Sequence, residues 1–211
     1  MFMSLELYPK NTSQLYRENR YRPIHQAWVN RREQHIIQKL LISYGLQKSS
    51  ILDAPCGYGR LFPVYEYLDM PITGVDINPI MVQFASEYSD LGYDMRVLNG
   101  DMLHLPFKDK SFDVILCMRL FHHQLDYNQR QTILSELSRV TRHYIIISYY
   151  KFAWLHALSC LLRWRSKCRV PTLLKEAEIG VLFEMNKLHL LSTCYVLRHA
   201  HMQTLAILEK Y

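Results

Sequence analysis

Three carboxylates stand where short apolar runs end: Asp53 after Ile51-Leu52, Asp76 after Ile72 to Val75, and Asp101 after Met95 to Leu98 and Asn99-Gly100. Carboxylates of this kind accept hydrogen bonds from hydroxyl and amine groups. Between the first two lies Ala54-Pro55-Cys56-Gly57-Tyr58-Gly59-Arg60. Gly57 and Gly59 carry no side chains and tolerate unusual dihedrals, so the backbone there can approach a ligand closely. A fourth apolar run, Phe112 to Cys117, leads to Phe121-His122-His123. Histidine acts as a general base near neutral pH, and His122 and His123 are the candidate bases. Adjacent histidines without a neighbouring carboxylate or cysteine do not match a zinc spacing, so no metal is expected.

The elements that must position these groups read as strand, turn and helix in succession. Ile51 to Asp53 is a buried strand, Pro71 to Asp76 a second, Met95 to Leu98 a third and Phe112 to Cys117 a fourth. Asn78 is a good N-cap and Pro79 a good first helical residue. Ile80, Met81, Phe84, Ala85 and Tyr88 then recur at helical spacing. Asp126 with Gln129 forms a capping-box pattern, followed by the stripe Ile133, Leu134, Leu137 and Val140. Tyr144 to Tyr149 is a fifth strand. In an open parallel sheet the strand ends line one crevice, where ligands bind. A glycine turn there serves nucleotides, dinucleotides and S-adenosylmethionine alike.

Four motifs in order narrow this choice. Ile51 to Arg60, Gly74-Val75-Asp76-Ile77-Asn78-Pro79, Asn99-Gly100-Asp101-Met102-Leu103-His104-Leu105-Pro106-Phe107 and Ser111-Phe112-Asp113-Val114-Ile115 resemble those of the class I S-adenosylmethionine-dependent methyltransferases. Within that family, the small-molecule branch with quinone-biosynthesis enzymes is the nearest likeness. The resemblance runs from about Ile51 to Ser148. It implies an α/β fold, a Rossmann-like, mostly parallel seven-stranded sheet with an antiparallel last strand and helices on both faces. It also implies S-adenosyl-L-methionine as cofactor. The implied cofactor-binding residues are Asp53, Ala54, Gly57, Gly59, Asp76, Ile77, Asp101, Met102 and Cys117. Asp76 would accept the ribose hydroxyls, Asp53 would support the turn and the amino-acid moiety, and Asp101 with Met102 would recognise adenine. Cys117 lacks the Pro-Cys pair of a cytosine-C5 nucleophile and reads otherwise as a small buried thiol.

Two positions depart from the family pattern. Pro55 stands where glycine is usual, which stiffens the turn and removes one N–H donor. Arg139 to Tyr144 replaces the usual Lys-Pro-Gly-Gly turn with a glycine-free link. A nicotinamide dehydrogenase, the natural competitor, needs a third glycine, and Arg60-Leu61-Phe62-Pro63 lacks it.

The remaining chain frames this core. With 211 residues, 49% hydrophobic and 21% charged, one domain with a core is expected, and the resemblance implies a methyltransferase domain spanning 1–211. Its parts are an N-terminal helical cap (1–48), a cofactor-binding core (49–150), a basic lid-like insertion (151–171) and a C-terminal helix with strands (172–211). Ile24 to Tyr44 reads as a helix with Trp28, His35, Ile36, Leu40 and Ile24 inward and Gly45 as its stop. Leu173 to Asn186 reads as a helix, and Leu188 to Leu197 and Met202 to Glu209 as an antiparallel hairpin. Tyr149, Tyr150 and Lys151 are expected to line a substrate pocket, with plain packing an equal reading for the two tyrosines. Tyr16, Tyr21 and Trp28 are either core contacts or part of its closure.

Net charge is +6, with basic residues grouped at Arg17, Arg20, Arg22, Arg31 and Arg32 and at Lys151, Arg163, Arg165, Lys167 and Arg169. These groups suit an anionic substrate, an acidic membrane surface or RNA, and equally suit solvated helix faces. The Trp154 to Trp164 segment reads as a lid helix, with an interfacial helix as the competing reading. No signal-like segment or membrane-length apolar run is seen, and the five cysteines form no Cys-x-x-Cys pair, so the expected location is cytoplasmic. The expected activity is methyl transfer to a small-molecule acceptor, lipophilic ones included. The alternatives are an RNA-modifying methyltransferase and a non-catalytic methyltransferase-like partner protein.

Overall fold

The computed structural model describes residues 15, 19, 22–121, 123, 126–151, 176–197 and 203–211. The expected lid-like segment beyond Lys151, together with His122, Tyr16 and Tyr21, lies outside the described residues. Seven described strands form a mixed sheet, and the chain divides into two compact units, residues 1–101 and 102–211.

The first unit opens with α1 (Ile24–Ser43). Its sequence holds no glycine or proline, which leaves nothing to break it. Pro23 precedes it with extended dihedrals. Gly45, at φ +67°, stops it. The Gly45 and Leu46 N–H groups donate to the carbonyls of Ile42 and Leu41, satisfying the helix end as a Schellman motif does. The inward face is Val29, Glu33, Ile36, Ile37, Leu40 and Leu41. This corrects the sequence reading, because Trp28 and Ile24 are 48% and 89% exposed and His35 faces solvent. A buried carboxylate, Glu33, belongs to the stripe, and a hydrophobic pattern alone assigns such a residue to the outside.

Three parallel strands follow in the order β3-β2-β1: β1 (Ile51–Asp53), β2 (Ile72–Asp76) and β3 (Met95–Asn99). Strand β1 is fully buried, as a strand covered on both faces must be. Between them run α2 (Phe62–Tyr67) and α3 (Pro79–Ser86). Asn78 caps α3 by accepting from the Ile80 N–H at 2.9 Å, with Pro79 in the first helical turn. Phe62, the first residue of α2, is wholly buried against β2 at Gly74. A Cβ on Gly74 would lie 2.9 Å from the Phe62 ring and 3.0 Å from the Cys56 Sγ.

The second unit contains β4 (Phe112–Cys117), α4 (Tyr127–Val140), β5 (Thr141–Tyr150), α5 (Glu176–Met185), β6 (Leu188–Tyr195) and β7 (Gln203–Lys210). Its strand order is β4-β5-β7-β6, with β7 antiparallel to both neighbours, so the last strand is the reversed one. The capping box forms: Asp126 Oδ1 accepts from the Gln129 N–H and Gln129 Oε1 accepts from the Asp126 N–H. Ile133, Leu134, Leu137 and Val140 are all buried.

Helix α4 passes directly into β5, which starts at Thr141 rather than Tyr144. No glycine turn is needed there because Lys210 Nζ, from β7, donates to the carbonyls of Ser138 and Thr141. Its ammonium fills acceptors that a helix end leaves open. No helix among the described residues is long and apolar enough to cross a membrane.

Gly74→Ala is expected to destabilise the protein by about 1–3 kcal/mol, the usual cost of overpacking a buried contact. Gly180→Ala in α5, where an added Cβ meets nothing within 4 Å, is expected to stabilise by about 0.5–1 kcal/mol. Urea unfolding of both variants checks the contrast, and equal effects would contradict it.

Candidate functional site

Strands β1 and β2 end side by side, and the glycine turn is stitched to the second of them. The Cys56 N–H donates to the Val75 carbonyl at 2.9 Å. The Gly57 N–H donates to Asp76 Oδ2 at 2.9 Å, and the Asn78 N–H donates to Asp76 Oδ1 at 2.8 Å. One carboxylate thus fixes the turn after β1 and the start of α3. Gly57 and Gly59 have φ of +56° and +78°, the left-handed region that glycine enters without strain. At Gly59 an added Cβ would strike Phe62 at 2.8 Å, whereas at Gly57 it would meet nothing within 4 Å. The turn is therefore packed on one side and open on the other, beside Asp76.

Asp76 is only 8% exposed. Burial raises its pKa from 3.8, and the Asn78 and Gly57 hydrogen bonds pull it back. A carboxylate offers about four lone-pair sites, so each oxygen can accept a further hydrogen bond. Ile77 follows with its side chain 47% exposed. Asn99 Nδ2, at the end of β3, donates to the carbonyls of Asp76 and Ile77 at 3.0 and 2.9 Å. The Gly100 N–H donates to the Asp76 carbonyl at 3.1 Å, which brings the neighbouring Asp101 to the same strand ends.

Asp53 is 1% exposed. Its Oδ2 accepts from the Tyr65 hydroxyl at 3.1 Å, while its Oδ1 is buried without a hydrogen-bond partner. Burial lifts the carboxyl to about 7, against the lowering effects of the Arg60 charge and the Tyr65 hydroxyl; the Asp76 charge adds to the rise. Burial and the charges of Asp53 and Asp76 push the Cys56 thiol up in turn, which keeps it unreactive.

Arg60 links this cluster to α1. Its Nη1 donates to Asn30 Oδ1 at 2.8 Å and lies 3.0 Å from Glu33 Oε2. Gln34 Nε2 donates to the Arg60 carbonyl at 3.0 Å. The Glu33 side chain is wholly buried. Sequence reasoning missed Asn30, Glu33, Gln34 and Tyr65. One signal for Glu33 was available: it falls on the inward spacing of Val29, Ile36 and Leu40.

The other expected residues lie in the second unit. Met102 is buried, 7% exposed, and Cys117 is completely buried. The segment after Met102 is clamped by α4. Arg139 donates to the carbonyls of Leu105 and Phe107 at 3.0 and 2.7 Å, and Glu136 accepts from the Leu105 N–H at 2.8 Å. His123 lies on the surface as a residue, with its N–H donating to the Leu120 carbonyl. Partial desolvation of its ring holds the pKa below 6.5, so the neutral imidazole can accept a proton near neutral pH. Tyr149 and Lys151 line a cavity of about 480 Å³ with Glu176, Phe183 and Tyr195. The Lys151 ammonium pairs with Glu176 at 2.6 Å and stands 5.5 and 5.9 Å from the Tyr149 and Tyr195 ring centres.

Comparison with known proteins follows the same outline. Residues 51–143 match the model of a methyltransferase domain. An uncharacterized methyltransferase of Bacillus subtilis, YodH, is 32% identical over 93 residues, covering 44% of this chain and 38% of that protein. A ubiquinone biosynthesis O-methyltransferase of Rickettsia felis is 25% identical over 141 residues, covering 59% and 57%. The chain spans about half the length, or less, of the first curated relatives it matches. Among solved structures, the magnesium protoporphyrin IX methyltransferase of Synechocystis PCC 6803 with bound S-adenosylhomocysteine has a TM-score of 0.74. It is 17% identical, and the likeness covers 89% of this chain and 88% of that one. This establishes the fold expected from the motifs.

Asp53 generates a pH-dependent prediction. Its folded-state pKa of about 7 lies above the ordinary 3.8, so the folded protein holds this proton more tightly than the unfolded chain. The associated stability is fully present below the lower value and is lost as pH rises through the upper one. Asp53→Asn is neutral throughout and escapes that loss. Its stability relative to wild type should therefore rise across this window, by roughly 1–4 kcal/mol in all. Thermal melts over the window check this, and a constant difference would contradict it.

Proposed function

We propose that this chain transfers a methyl group from S-adenosylmethionine to a small acceptor, lipophilic ones included, a reading that the match of residues 51–143 to the methyltransferase domain model supports. The observation that carries the reading is the buried Asp76 carboxylate, held by two backbone N–H groups beside the open face of Gly57.

The residues present fit the cofactor. Asp76 retains acceptor capacity for two ribose hydroxyls. Asp53 offers an orphaned buried oxygen suited to an ammonium group. Gly57 leaves its backbone approachable, and Pro55 removes a donor two residues away without disturbing the Gly57 hydrogen bond. When bound, S-adenosylmethionine supplies a methyl group already activated by its sulfonium. The protein's own task is to orient the acceptor and exclude water. His123 can hold a proton taken from an acceptor hydroxyl or amine, because its imidazole is neutral near pH 7. Roles for Met102 and Cys117 rest on the family resemblance, and that of His122 on its place after the fourth apolar run.

The relative named for ubiquinone biosynthesis supports a small-molecule acceptor. The intact Asp53 and Asp76 arrangement favours a working enzyme over a non-catalytic partner protein. Among the described residues, Cys56, Cys117 and Cys194 form no disulfide, which suits a reducing, cytoplasmic setting.

Calorimetric titration of S-adenosylmethionine and S-adenosylhomocysteine into wild type and Asp76→Asn tests the reading. Wild type should bind both. The variant loses a charged acceptor worth about 1.5–3 kcal/mol, and should bind roughly 10- to 100-fold more weakly. A folded wild type that binds neither would sink the proposal.

A further inference from the structure

The cluster behind the glycine turn contains a carboxylate that the reaction itself does not use. Glu33 is wholly buried, and its partner Arg60 is the cation whose charge acts on Asp53. The Arg60 Nη1 is directed to Asn30 and Glu33, both on α1. Asp53 has one oxygen on Tyr65 and one buried oxygen without a partner. A buried acceptor left open costs free energy unless something fills it.

We propose that Glu33 is a positioning residue: by holding Arg60 toward α1 it keeps Asp53 Oδ1 available for the cofactor's α-ammonium group and couples cofactor binding to loss of the Asp53 proton. The inference rests on the function proposed above. The groups that face Asp53 are Arg60 and Cys56 in the turn, Tyr65 in α2 and Asp76 in β2. Of these only Arg60 is cationic, and Glu33 offsets its charge. With its carboxyl raised to about 7, Asp53 thus keeps its proton about half the time near neutral pH. An arriving ammonium favours the carboxylate, and the proton leaves to solvent. Without the Glu33 charge, Arg60 would act on Asp53 undiminished. Asp53 would then ionise before the cofactor arrives, and binding would release less proton.

Two measurements on the full chain test this. The first is an NMR titration of the Asp53 carboxyl carbon in unliganded wild type and Glu33→Gln. The second is S-adenosylhomocysteine calorimetry across the neutral range in buffers of different ionisation enthalpy. Wild type should release protons on binding and bind more tightly as pH rises. In Glu33→Gln the proton affinity of Asp53 should fall about tenfold, one pKa unit, and the binding profile should shift to lower pH with it. An unmoved Asp53 midpoint in folded Glu33→Gln would overturn the proposal, since a purely structural Glu33 would change only stability. Should that variant fail to fold, Glu33→Gln/Arg60→Gln removes both charges together. There the Asp53 midpoint should rise, and a fall or no movement would overturn the proposal. Absence of S-adenosylhomocysteine binding at every pH, with the Asp53 shifts as expected, would instead refute the proposed function and the cofactor half of this inference with it.

Discussion

Asp76 must satisfy two backbone N–H groups, from Gly57 and Asn78, with one nearly buried carboxylate. Much of the first unit follows from that constraint. The Gly57 bond draws the turn over the end of β2, where the Cys56 N–H adds its own bond to Val75. With the turn there, Phe62 falls across Gly74 and Gly59, and both must lack a side chain. The Asn78 bond fixes where α3 begins, and Asn78 then caps it through Ile80. Charge-assisted bonds of this kind are shorter and stronger than neutral ones, which suits a residue that anchors two elements.

Burying carboxylates has a cost, and the cluster meets it unevenly. Asp76 is compensated by two N–H donors, so its rise is restrained. Asp53 has one hydroxyl and a shared cation, and its carboxyl is pushed up to about 7. Glu33 has the cation itself. The incomplete compensation falls on the residue whose second oxygen is buried without a hydrogen-bond partner, which suits the ammonium contact proposed above. In the second unit, by contrast, the Arg139 clamp on Leu105 and Phe107 leaves its acceptors filled, in keeping with a supporting role.

Short-range chemistry was legible in the sequence. The strand ends at Asp53 and Asp76, the Asn78-Pro79 start, the Asp126/Gln129 box and the Gly45 stop depend on residues close together in the chain, and each forms as its types dictate. The class of fold was legible for the same reason, since four ordered motifs mark four successive strands. Contacts between distant residues were not. Glu33 looks like a surface charge until Arg60 is brought to it. Lys210 looks like a terminal lysine until β7 returns beside β5 and places it on the Ser138 carbonyl. The face of α1 was misjudged because its stripe includes a charge, which displaces Trp28 and His35 outward.

The central claim is that the Asp76 carboxylate serves the turn and the cofactor at once. A crystal structure of the chain with S-adenosylhomocysteine tests it most directly. The ribose hydroxyls should lie on Asp76 with the Gly57 and Asn78 hydrogen bonds retained. A ligand seated elsewhere, or an Asp76 that has released Gly57 to reach it, would contradict the account.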